Sequence, residues 1–301
     1  GQYGAGGAGG FEIWQVDTVS GWVFYIKTLL YGVGVVMLAL AAVGLLSSIA
    51  TLREQSAMTL LAVAFPAIYY VLMGATRHYF ARYALPLVPF VALFAAKGVI
   101  SAVSWVPKPG WLGPASMAAM GVLAISQPLA HSIRSDVLLT REDTRTAAKR
   151  WIETNIPAGA KIAVEWPVHT PPLATAERSV PGSERTYDIY EVGGEGLSSH
   201  TVTWYREQGF DYLIASSYIY NIPLVDQAQN LSRQGFYESL RNALSLVREF
   251  RPYDGETEPP FIFDELYGPV ASLWRRQQPG PTVKIYAVLP SVQASATCGI
   301  P

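Results

Sequence analysis

Thiols and charge are what this sequence has least of. A single cysteine, Cys298, stands among 301 residues, so no disulfide can form within them and no cysteine-based metal site exists. Only 15% of residues are charged, against about 25% in an ordinary soluble domain. The net charge of -1 excludes a strongly basic nucleic-acid binder, and no nucleic-acid partner is expected. An apolar content of 50% excludes a disordered chain. The opening GQYGAGGAGG has neither the basic start nor the cleavage pattern of a signal peptide, and residue 1 is Gly rather than Met. A fragment of a longer protein is the expectation.

The charge deficit is local. Residues 1–140 hold seven Lys/Arg and four Asp/Glu, while the remaining 161 hold 15 and 19. The first part reads as adapted to lipid and the second to water, with the change near residues 134–142. We therefore divide the chain into a Gly-rich outer segment (1–20), a transmembrane region (21–134), a soluble α/β domain (140–290) and a polar tail (291–301).

A helix needs about 20 apolar residues to cross the hydrocarbon core. Four stretches qualify: 27–50, 56–76, 83–103 and 111–133. The third contains Lys97, close enough to its end to snorkel to the head groups. Small residues in the first and fourth (Gly32, Gly34, Ala39, Gly44; Ala115, Ala118, Ala119, Gly121) permit close helix approach. Flanking cations do not set the orientation: Arg53, Lys97 and Lys108 lie on one face, Lys27, Arg77, Arg82 and Arg134 on the other.

After Thr140 the pattern changes. Asp143 is a candidate N-cap, with Ala147, Trp151 and Ile152 on one helical face, a stop at Pro157-Ala-Gly159, and KIAVEW as a strand. HTVTWYREQGF, with His200 at its start and Gly209 as C-cap, then DYLIASS, repeat the helix–strand order. A helix over LVDQAQNLSRQGFYESLRNAL and strands at SLVREFRP and VKIYAVLP follow. Helices alternating with short apolar strands predict a sheet covered by helices.

Between the second and third spans, GATRHYFARYALPLVP gathers Arg77, His78, Arg82, Tyr79 and Tyr83 at a membrane boundary. Arginine offers a planar fork of donors to phosphate, and tyrosine suits the interface. Snorkelling arginines in an aromatic belt explain the same residues. Other candidates weigh less. Glu165 and His169 in EWPVHTPP lack a third metal ligand and read as a loop after a strand. GGEG at 193–196 lacks phosphate-loop spacing and reads as a turn, and Ser216-Ser217 also read as turn residues. His131 reads as interfacial. Trp166, Trp204, Tyr212, Tyr218 and Tyr220 could stack on sugars, with core packing the simpler account.

The span entry GWVFYIKTLLYGVG, the Arg-x-x-x-x-Arg-Tyr-x-x-Pro-x-x-Pro stretch (Arg77, Arg82, Tyr83, Pro86, Pro89), the next span and DTRTAAKRWIETNIPAGAKIAVE resemble the C-terminal half of GT-C glycosyltransferases. The protein O-mannosyltransferase-like and aminoarabinose-transferase-like membrane enzymes are the nearest. GFDYLIASS, LVREFRP and VKIYAVLP resemble later strands of their extracytoplasmic domain. The resemblance implies a multi-pass plasma-membrane enzyme that moves a sugar from a polyprenyl-phosphate donor to a glycan, lipid or protein acceptor. Its soluble domain would be extracytoplasmic, and Arg77, His78, Arg82 and Tyr83 would contact the lipid phosphate. The family's catalytic acidic residue lies in a first outer loop; Glu12 and Asp17 do not stand in that motif. No catalytic or metal-ligating residue is assigned, the lipid-linked donor is a substrate, any cofactor is left open with a divalent metal conceivable in the longer protein, and this stretch alone is expected to be inactive. A non-catalytic membrane-anchored module binding a glycan or protein is the alternative, and a transporter fragment a third reading.

Overall fold

A computed structural model describes residues 20–50, 57–76, 80–105, 110–193, 196–222, 227–255, 257–258 and 272–288. The chain forms two compact units, changing over between Val137 and Leu138, with a short return to the first unit before Arg275.

The first unit is helical: α1 (Gly21–Val33), α2 (Val35–Ala50), α3 (Ala57–Gly74), a 3-10 turn (Ala81–Leu87) running into α4 (Val88–Ser104), and α5 (Leu112–Leu139). Among the described residues, three helical stretches are long and apolar enough to cross a membrane, or four if α1 and α2 form one broken span. The expected uninterrupted span 27–50 is thus not one straight helix. It breaks at Gly34, where φ is +88°, and bends by 116°. A side chain at residue 34 would meet both an unfavourable backbone conformation and the Gln127 side chain 2.7 Å away.

Breaking a helix exposes backbone groups, and α5 supplies partners for them. Gln127 Oε1 accepts from the Val35 N–H at 3.1 Å. One turn further on, His131 Nδ1 lies 3.0 Å from the Tyr31 carbonyl, which fixes the proton on that nitrogen because a carbonyl only accepts. His131 therefore caps the end of α1, a more specific role than an interfacial residue. This is how a discontinuous helix is tolerated in an apolar setting.

The closest packing is α2 against α4. A Cβ on Gly44 would overlap the Phe94 carbonyl, and one on Gly98 would overlap the Leu40 carbonyl, so each glycine lets the other helix's backbone in. Of the small residues expected to serve this purpose Gly44 does so; Gly32 and Gly121 have open space around them. Leu40, Ala41, Phe94, Ala95 and Ala124 are buried around the contact.

The second unit is a mixed sheet between helices. It contains α6 (Thr144–Asn155), β1 (Lys161–Val164), β2 (Asp188–Glu191), α7 (Val202–Glu207), β3 (Tyr212–Ser216), α8 (Ser217–Tyr220), α9 (Gln227–Ala243), β4 (Ser245–Phe250) and β5 (Val283–Ala287). The strand order is β2-β1-β3-β5-β4, with β1 parallel to β2 and β3, and β5 antiparallel to β3 and β4. Alternation splits β1, β3 and β5 between two cores. Ile162, Val164, Ile214, Val283 and Ile285 meet Ala148, Ile152 and Ile156 on one face. Ala163, Leu213, Ala215 and Tyr286 meet Tyr205, Phe210, Leu240 and Leu244 on the other.

Asp143 caps α6, accepting from the Arg145 N–H at 2.8 Å. The buried face is Thr144, Ala148 and Ile152, one position off the expected Ala147. Thr201 rather than His200 caps α7, accepting from Trp204 N–H, and Gly209 follows its end at φ +72°. The unexpected strand is β2, whose side chains are mostly exposed.

Candidate functional site

Of the four residues expected to contact a lipid phosphate, Arg77 and His78 lie outside the described residues, and Arg82 and Tyr83 sit on the 3-10 turn preceding α4. The two prolines explain the turn. Pro86 falls inside it and Pro89 in the first turn of α4, where a missing N–H costs least. Arg82 is exposed. Its guanidinium carbon lies 4.5 Å from the Phe80 ring centre and 5.5 Å from that of Tyr83. Those rings meet edge-on, and the Tyr83 carbonyl accepts from the Tyr69 hydroxyl at 2.9 Å. The arginine is therefore steadied by aromatic faces.

A second site was not expected as one. Glu165 follows β1 directly and is fully buried. Its carboxylate accepts from the Ser216 N–H at 2.6 Å, from the Leu197 N–H at 3.2 Å and from the Tyr237 hydroxyl. Burial pushes its pKa up to about 7, although these donors and the nearby Arg233 pull the other way. Glu165 stands in the loop after β1, as read, and there serves as a structural anchor at the C-terminal ends of two parallel neighbours, β1 and β3. Gly196 makes room for it: φ is +71°, and a Cβ there would crowd Tyr237, Ile219 and Glu165 Oε1. GGEG is at this residue a packed position rather than only a turn; Gly194 and Glu195 lie outside the described residues.

Beside this anchor is a cavity of about 370 Å³. Tyr237 lines it, joined from α9 by Gln234, Glu238 and Arg241. These four stand at i, i+3, i+4 and i+7, which puts them on one helical face. Tyr220, Asn221, Glu258 and Lys284 complete the polar lining. Lys284 lies 4.7 Å above the Tyr220 ring and 3.8 Å from Glu249, and burial lowers its pKa. The Tyr220 hydroxyl is 3.4 Å from both oxygens of Glu258, and burial holds its pKa well above the usual phenol value.

His169 is elsewhere in function. Its ring meets Tyr218 and Trp166 edge-on at 5.8 and 5.9 Å, and burial with the neighbouring Arg145 lowers its pKa to about 4. Among the described residues no group of three His, Cys, Asp or Glu side chains could hold a metal ion. Ser216 Oγ lies 3.4 Å from the Tyr218 N–H at the start of α8, and Ser217 Oγ accepts from Thr282 N–H at 2.9 Å. Of the aromatic residues considered for sugar stacking, Tyr220 alone lines the cavity; Trp204 stacks on His200 at 3.8 Å, and Tyr218 is buried.

Scans against family models and searches of curated proteins and solved structures found no match to this chain.

Proposed function

We propose that the chain is the C-terminal portion of a multi-pass plasma-membrane glycosyltransferase that uses a polyprenyl-phosphate-linked sugar donor, its sheet unit lying outside the cytoplasm. The observation that carries the reading is Arg82. An exposed guanidinium sits beside Phe80 and Tyr83 at the entry to an apolar helix. A lipid-linked phosphate presents its charge at head-group depth, where such a donor fork meets it. In a transfer reaction the same cation would stabilise the phosphate as it leaves the sugar, and a carboxylate outside the assigned residues would take the acceptor's proton.

The exposed apolar surfaces of α3, α4 and α5 support lipid as their surroundings. Leu60, Leu61, Ile68 and Leu72 on α3, and Val122, Leu123 and Leu129 on α5, are all more than half exposed. In water such surfaces would associate.

The test is binding of undecaprenyl phosphate by the chain in lipid nanodiscs. Arg82→Ala should weaken it about tenfold or more, as expected for loss of a charge-assisted hydrogen bond. Equal affinity in Arg82→Ala would overturn the assignment.

A further inference from the structure

The cavity beside α9 shares no residue with the lipid-phosphate site and opens at the margin of one hydrophobic core, which lends it Ala215 and Tyr286. We infer that it is a binding site for a neutral mono- or disaccharide, held by Gln234, Glu238, Asn221 and Glu258 against the rings of Tyr220 and Tyr237. The inference stands independently of the proposed transferase activity, since every residue that carries it lies in the sheet unit.

Charge is the first argument. Two cations, Arg241 and Lys284, face two carboxylates, Glu238 and Glu258. Lys284 already has Glu249 and the Tyr220 ring as neighbours, and Glu258 already has the Tyr220 hydroxyl. Signs that balance within the lining leave no net field to select an anion or a cation. They do leave donors and acceptors side by side. A hydroxyl both donates and accepts, and so do the amides of Asn221 and Gln234.

Shape is the second. Tyr220 and Tyr237 lie 5.5 Å apart, centre to centre, tilted by 46°. With Ala215, Ile222 and Tyr286 they give an apolar wall beside the polar one. A pyranose has the same two-sided character: a C–H face that packs on an aromatic ring, and a rim of hydroxyls. The volume of about 370 Å³ is near the lower end of small-molecule sites, which run roughly from 300 to 1,000 Å³. That size suits one or two sugar rings.

Rigidity is the third. Tyr237 is fixed from behind by Glu165, itself held by two backbone N–H groups. A preformed wall costs less entropy on binding than a mobile one.

The experiment is saturation-transfer NMR on the full chain in nanodiscs, titrated with D-mannose, D-galactose, L-arabinose, N-acetylglucosamine and cellobiose, with glucuronate, glucosamine 6-phosphate and glutamate as charged comparators. At least one neutral sugar should bind with a Kd on the order of 1 mM. Tyr220→Ala should weaken it about tenfold. Gln234 and Glu238 are exposed on α9, so Gln234→Ala and Glu238→Ala keep the fold and should each weaken binding severalfold. Arg82→Ala should leave the sugar titration unchanged, which separates this result from the fate of the lipid-phosphate proposal. The inference is overturned if no neutral sugar saturates at roughly a hundred times that concentration. Tighter binding of a charged comparator overturns it too, as does sugar binding indifferent to both exposed substitutions.

Discussion

Set α3 beside β1. In α3, built from Leu, Ala, Val, Phe, Ile and Tyr, the only buried residue is Gly74. In β1, Ile162, Ala163 and Val164 are buried to within 3% of complete exclusion from solvent. The same apolar side chains thus point outward in one unit and inward in the other. Burial of polar groups is reversed as well. The sheet unit encloses a carboxylate, Glu165, and satisfies it with three donors. The helical unit keeps its carboxylates out of its described helices as far as Asp136, and makes its specific contacts through glycine backbones and the polar staples Gln127 and His131. Where side chains have no hydrophobic drive to separate them from their surroundings, packing relies on backbone approach and satisfied hydrogen bonds. Where water surrounds the unit, the drive is burial and the risk is an unpaired polar group.

The comparison breaks most visibly at Glu165. Glu165→Ala strands two backbone N–H groups and a tyrosine hydroxyl, and should cost the sheet unit about 4 kcal/mol, read as the thermal unfolding midpoint of that unit. A loss below about 1 kcal/mol would mean the anchor is dispensable.

A pH series sharpens the same point. Glu165 binds its proton more tightly when folded, its pKa being raised from 4.5 to about 7. Stability should therefore fall as pH rises between those values, by up to roughly 3 kcal/mol, and stay level above them. His169 acts oppositely: its pKa is lowered from 6.5 to about 4, so its contribution grows as pH rises through that interval. In His169→Phe, which keeps the ring contacts, the decline from Glu165 should appear alone. A flat profile in that variant would contradict the burial argument.

In the helical unit the test is Gly98→Ala. The added methyl must displace the Leu40 carbonyl, costing about 2 kcal/mol, measured as loss of thermal stability in detergent. Gly121→Ala, with open space around it, should be neutral. Gln127→Ala should cost less than Gly98→Ala, about 1 kcal/mol from the lost partner of Val35 N–H.

Much of this was legible beforehand because it is local. Apolar runs mark α3, α4 and α5; Asp143 marks the start of α6; KIAV and YLIAS mark two strands buried on both faces. The edge strand β2 escaped because DIYE is exposed and polar, without the apolar signal of its neighbours. The bend at Gly34 escaped because a glycine within an apolar run reads equally well as a packing residue, and Gln127, the side chain packed against it, lies 93 positions away. Gly98 escaped for the same reason: its partner is a backbone carbonyl on another helix. Arg82 and Tyr83 were visible as neighbours in the chain. The cavity was not, since its lining runs from Ala215 to Tyr286 and is brought together only by the sheet order. Its one local trace is the stripe Gln234, Tyr237, Glu238, Arg241.

On the proposed function, the helical unit resides in lipid while the sheet unit faces water. The single cysteine makes this directly measurable. In a Cys298→Ser background, Leu61→Cys on α3 and Glu238→Cys on α9 can be challenged with a membrane-impermeant maleimide in intact, right-side-out and inverted vesicles. Leu61→Cys should stay unlabelled in both until detergent is added, and Glu238→Cys should react from one side only. Labelling of Leu61→Cys at the rate of Glu238→Cys in intact vesicles would contradict it.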